Sequence, residues 1–142
     1  MGKHSQLLGL NVTLTCQARK NIQTVEWSRA DLRQEYVFLY RDGRKTLVHQ
    51  HPSFKNRVDL KDKQMKDGDV SLILKNVTIN DTGTYECRVV ETGTSGLKSL
   101  YDTEPIKFVD LRVIMLWGLC QFCYSLLVNE LSAENRKHLV PL

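Results

Sequence analysis

The chain has 142 residues, enough for one domain with its own core and about 30 residues beyond it. Its net charge is +4, but acidic and basic residues alternate, as in Lys61-Asp62-Lys63 and Lys66-Asp67-Gly68-Asp69. That mixing describes a solvated surface and excludes the basic stripe of a nucleic-acid binder. No residue pattern pairs a nucleophile with a base, sets two carboxylates together or forms a phosphate loop, so neither an enzyme nor a cofactor is expected.

In chain order, Met1–Gln6 leads into only Leu7-Leu8 before Gly9. That is too short for the apolar core of an export signal, and Gln6 stands where a myristoylation motif needs Ser or Thr. Residues 1–8 are therefore expected to be an extension or a truncated first strand, in an incomplete or alternatively spliced form. Val12, Leu14 and Cys16 alternate with Thr13 and Thr15, the period of a strand with one buried face. Val25-Glu26-Trp27-Ser28-Arg29 repeats that alternation, with Val25 and Trp27 inward. Tyr36–Tyr40 is apolar on both faces, so either Tyr36, Phe38 and Tyr40 or Val37 and Leu39 face out. Arg41-Asp42-Gly43-Arg44 is a hairpin turn, and Thr46–His51 is expected as the returning strand, ended by Pro52.

Strands are further expected over Arg57–Leu60, Val70–Lys75, Tyr85–Val89 and Ile106–Val113, with a flexible loop tip at Gly93–Gly96. Val113–Val128 then runs sixteen residues without a charge. As a helix it would span ~24 Å, short of the ~30 Å bilayer core, so its length falls between a membrane segment and a buried helix, and membrane association through residues 113–128 is one of the two readings it allows. Residues 129–142 form a polar tail. Cys120 and Cys123 in the apolar run are read as two buried helical thiols, with palmitoylation as the alternative. His49 and His51 fall two apart on one strand face, but no third ligand accompanies them and no metal is expected. Asn11, Asn76 and Asn80 each open an Asn-x-Thr glycosylation sequon.

Asp81-Thr82-Gly83-Thr84-Tyr85-Glu86-Cys87, with Tyr85 two residues before Cys87 and Trp27 eleven after Cys16, resembles the signature of the immunoglobulin variable-type domain. The resemblance covers residues 9–113 and implies an all-β Greek-key sandwich of two antiparallel sheets. It implies a Cys16–Cys87 bridge between the sheets, with Trp27 packed on it and the Tyr85 hydroxyl bonded back to the corner. It also implies an ion pair between Arg57 and Asp81 at the bottom of the sandwich. Such a bridge would contribute roughly 4 kcal/mol in the entropic picture and persists only in oxidising compartments.

The runs from Val25-Glu26-Trp27-Ser28 to Tyr40-Arg41-Asp42, with Phe54-Lys55-Asn56-Arg57-Val58 and Leu74-Lys75-Asn76-Val77, are similar to butyrophilin-like and myelin-oligodendrocyte-glycoprotein-like proteins. That resemblance implies a place on the external side of the plasma membrane and a protein receptor or counter-ligand on another cell, with regulation of T cells as the outcome. The partner would meet the sheet formed by the strands expected over Val25–Arg29, Tyr36–Tyr40, Thr46–His51, Tyr85–Val89 and Ile106–Val113, whose expected outward residues are Glu26, Ser28 and Arg88 with Tyr36, Phe38 and Tyr40. The alternatives are homophilic pairing in an adhesion molecule, as a homodimer, and an intracellular structural module. A rearranged antigen-receptor chain is set aside because Ile106–Val113 lacks Phe-Gly-x-Gly.

Overall fold

The computed structural model describes residues 10–19, 21–92, 104–116 and 123–132. Alternation decides which side chains lie inside it. β1 (Val12–Leu14), β5 (Val58–Leu60) and β6 (Leu72–Leu74) each bury their first and third residues and turn the middle one outward, as a side-chain period of two requires. They form one antiparallel sheet in the order β1-β6-β5.

The second sheet holds β2 (Ile22–Arg29), β3 (Phe38–Arg41), β4 (Arg44–Thr46), β7 (Gly83–Glu91), β8 (Lys107–Leu116) and β9 (Cys123–Ser132). Its order is β4-β3-β2-β7-β8-β9, and every neighbouring pair is antiparallel. Between the sheets Trp27, Phe38, Phe54 and Tyr85 meet Leu14, Leu60, Leu72 and Leu74 in one continuous core. The all-β two-sheet sandwich is therefore the one expected.

Covalent and polar links cross this core. Cys16, just past β1, is bonded to Cys87 in β7. Trp27 stands opposite Cys87 in the β2–β7 register, and its Nε1–H donates to the Val70 carbonyl at 2.9 Å. The buried Tyr85 hydroxyl donates to the Asp81 carbonyl at 2.5 Å. Tyr85→Phe leaves that buried carbonyl without its donor, and we expect a loss of roughly 1–3 kcal/mol in denaturant unfolding.

Turn chemistry sets the β3–β4 hairpin. Asp42 and Gly43 both have positive φ (54° and 79°), as a two-residue type I′ turn requires, and Arg41 pairs with Arg44 across it. Because the turn returns at once, the strand begins at Arg44 and ends at Thr46, not over Thr46–His51 as expected. His49 sits in a following turn with φ 60°. His51 instead caps the 3-10 turn Pro52–Phe54, its Nδ1 accepting the Ser53 N–H at 3.2 Å. The two histidines do not share a strand face.

The apolar segment also differs from its expected helical form. Val113–Leu116 completes β8, and Cys123–Val128 opens β9, which pairs with β8 from Lys107↔Ser132 to Leu116↔Cys123. A short apolar run suits a buried helix or a strand equally on periodicity alone; here the open edge of β8 supplies hydrogen-bond partners along its whole length. Asn129–Ser132 of the polar tail belongs to β9 as well. Among the described residues no helix is long and apolar enough to cross a membrane. Residues 1–9, the Gly93–Gly96 loop, Cys120 and the end of the tail lie outside the described residues.

Candidate binding face

The outer face of the six-stranded sheet follows from register. Val25 and Trp27 point into the core, so Thr24, Glu26 and Ser28 point out. Across β7 these stand opposite Val90, Arg88 and Glu86. Across β3, Thr24 and Glu26 stand opposite Arg41 and Leu39. Phe108 lies beside Glu86 on β8, and Asp110 beside Thr84, whose hydroxyl donates to it at 2.7 Å.

Register also settles the strand whose two faces are both apolar. Phe38 opposes Trp27 and is 2% exposed, and Tyr40 opposes Val25 and packs against the core. Directly opposed residues share a face, so the expected outward pair Phe38 and Tyr40 is in fact inward, and Leu39 faces out. Tyr36 does reach the outer side. The alternation breaks at Val37, which is fully buried and donates its N–H to the Trp27 carbonyl at 2.9 Å.

Glu26, Ser28, Tyr36 and Arg88 therefore come together around a depression of about 290 Å³, closed by Arg29, Arg33, Gln34 and Glu86. Within it Arg88 is held to one side: Nη1 lies 2.7 Å from Glu86 Oε2 and donates to Ser28 Oγ at 3.2 Å. Arg29 is likewise bound to Asp31, at 2.6 and 3.0 Å, and that hydrogen-bonded guanidinium holds the Asp31 carboxyl below the usual range.

Glu26 is the exception. It faces outward yet is only 7% exposed. Among the described residues no direct hydrogen bond or ion pair reaches its carboxylate; Arg88, held to Glu86 and Ser28, acts on it through space. Burial pushes its pKa up from 4.5; the Glu86 charge adds to this, and Arg88 and Arg41 oppose it.

A raised folded value means that the folded state holds the proton more tightly than the unfolded chain. The resulting stability is fully present below the unfolded pKa and is lost as pH rises through the folded one. Glu26→Gln should therefore melt at or above wild type at pH 7. The gap should close as pH falls towards the ordinary glutamate range, as thermal melts across pH would show.

The remaining residues singled out in the sequence lie away from this depression. Arg57, leading into β5, meets Asp81 through Nη1–Oδ1 at 3.3 Å and Nη2–Oδ2 at 2.5 Å. Asn11, Asn76 and Asn80 are exposed. Asn11 precedes β1 and Asn76 follows β6, and the Asn11 side-chain oxygen accepts the Asn76 N–H at 3.2 Å. Sequence reasoning missed Arg33, Gln34 and Glu86 as lining residues. The only signal for the first two was a polar stretch between strands, which folds as a tight turn with Arg33 at φ 51°.

Residues 4–103 match the family model of the immunoglobulin V-set domain. The chain is 32% identical over 85 residues to human butyrophilin subfamily 2 member A2, covering 57% of this chain and 16% of that protein. It is 28% identical over 111 residues to the rat V-set domain-containing T-cell activation inhibitor 1, covering 75% and 39%. It thus spans well under half the length of these relatives.

Among solved structures, the human B7-H4 IgV-like domain aligns with TM-score 0.52 at 25% identity, covering 59% of this chain and 76% of that one. Human T-cell immunoglobulin and mucin domain protein 1 aligns with TM-score 0.53 at 25% identity, covering 73% and 89%. With the two-sheet topology, the Cys16–Cys87 bridge and the tyrosine corner all in place, the chain belongs to the immunoglobulin V-set domain family.

Proposed function

We propose that this chain is a non-enzymatic recognition module that binds a protein receptor through the outer face of its six-stranded sheet and regulates T-cell responses from the cell surface. The observation that carries the reading is the placement of Glu26, Ser28, Tyr36 and Arg88 around one depression on that face. The hydrophobic core closes without these four side chains. Aromatic and arginine side chains beside a desolvated centre are the composition of a protein interface. The likeness to a T-cell activation inhibitor and to a butyrophilin supports the T-cell role. The sequons support an extracellular site: Asn11 and Asn76 flank the strands of the other sheet, so glycans there leave the proposed face open.

The test is a fluorescent multimer of the full chain, applied to resting and activated lymphocytes. Saturable staining that unlabelled chain competes away, together with altered proliferation, is the expected result; absence of saturable staining on any lymphocyte population overturns the reading. Expression in cultured cells checks the compartment. We expect an N-glycosidase to increase gel mobility and reductant to change it, whereas an unshifted band with free Cys16 and Cys87 would contradict an extracellular site.

A further inference from the structure

Among the described residues no direct hydrogen bond or ion pair reaches the Glu26 carboxylate, and the opposite charges of Arg88 and Arg41 act on it only through space. Every other charged group at the floor of the depression is satisfied nearby: Arg88 by Glu86 and Ser28, and Arg29 by Asp31. Arg33 is exposed at the rim, where solvent and salt screen it. Among the described residues Glu26, 7% exposed, is the charged group of this depression that is largely buried without a direct hydrogen bond or ion pair, and at low dielectric an opposite charge gains most. Tyr36 adds an aromatic wall to the same depression, and a carboxylate beside an aromatic ring is a receptor for a cation. The volume, about 290 Å³, lies at the lower limit for a small-molecule site and suits one long side chain.

We propose that this depression receives a single lysine or arginine side chain of the protein partner, with Glu26 as its counter-charge and Tyr36 as the surface it packs on. The inference rests on the recognition reading above and specifies its chemistry. It accounts for an otherwise costly placement: withdrawing most of a glutamate from water lowers stability, and a fold keeps such a residue where binding repays it. The groups facing Glu26 are Arg88 and Glu86 from β7 and Arg41 from β3, with Arg29 and Arg33 nearby. An entering cation favours the ionised carboxylate, so binding should weaken as the solution is acidified.

The test is an NMR amide-shift titration of the full chain with N-acetyl-arginine methylamide, and with N-acetyl-glutamate methylamide as the charge-reversed probe. The arginine probe should give saturable shifts at Glu26, Ser28, Tyr36 and Arg88. Glu26→Gln should keep the remaining spectrum and weaken this binding by roughly tenfold or more. Shifts driven by the glutamate probe, shifts unchanged in Glu26→Gln, or no saturable shift at these residues would each overturn the proposal.

The two readings fail separately. If the Glu26→Gln multimer stains lymphocytes as wild type does, the cation site falls and recognition stands. If the titration saturates at the depression while no lymphocyte is stained, the recognition reading falls instead.

Discussion

Replacing Cys16 and Cys87 together by alanine should lower the unfolding free energy by roughly 2–5 kcal/mol, the cost typical of losing a native bridge in a small domain. The bridge joins positions 71 residues apart, so it removes a large share of the unfolded chain's freedom. Both cysteines are buried, at 2% and 0% exposure, and Trp27 lies opposite Cys87. The change therefore also removes packing from the centre of the core. The double variant is the right comparison, because a single one leaves a free buried thiol. Denaturant unfolding monitored by Trp fluorescence measures the effect, and a loss below about 1 kcal/mol would mean that the bridge is not what joins the sheets.

Arg57→Ala should cost a comparable roughly 3–5 kcal/mol, because it strands a buried charge. Asp81 is 3% exposed in its side chain, and besides Arg57 it accepts the Thr78 N–H at 2.8 Å. Arg57 does more than pair with it. The guanidinium also donates to the Ser53, Lys75 and Asn76 carbonyls and lies 5.9 Å from the Phe54 ring centroid.

Removing the arginine therefore unties the ends of β5 and β6 from the tyrosine corner in one step. Asp81→Ala should cost somewhat less, since Arg57 keeps its backbone acceptors. In a double-mutant cycle the pair should show a coupling of roughly 1–3 kcal/mol; additivity within error would make the contact incidental.

How much was legible in the sequence depended on whether a segment carried a contrast. Val25 and Trp27 alternate with polar neighbours, as do Tyr85, Cys87 and Val89, so their inward faces could be read directly. The Asp42-Gly43 turn was equally plain, because few residues other than glycine enter a left-handed turn freely. Tyr36–Tyr40 offers no contrast between its faces. Only the pairing of Phe38 with Trp27, a tertiary choice, assigns them.

Ile114–Leu116 and Cys123–Val128 were misread for a related reason, since a charge-free run is compatible with a helix or a strand until a pairing edge is available. The burial of Glu26 was hidden too. Alternation says that it faces outward, but not that Leu39 and Arg88 stand across from it on both neighbouring strands.

The most direct test of the recognition account compares charge reversals on the two sheets by multimer staining of activated lymphocytes. Arg41→Glu and Arg112→Glu alter exposed residues on the outer face of the six-stranded sheet, and Asp59→Lys alters the outward residue of β5 on the other sheet. The account predicts that the first two lower staining by roughly tenfold or more while Asp59→Lys stains as wild type does. Staining lost in Asp59→Lys and kept in both arginine variants would place the partner on the three-stranded sheet and contradict the account.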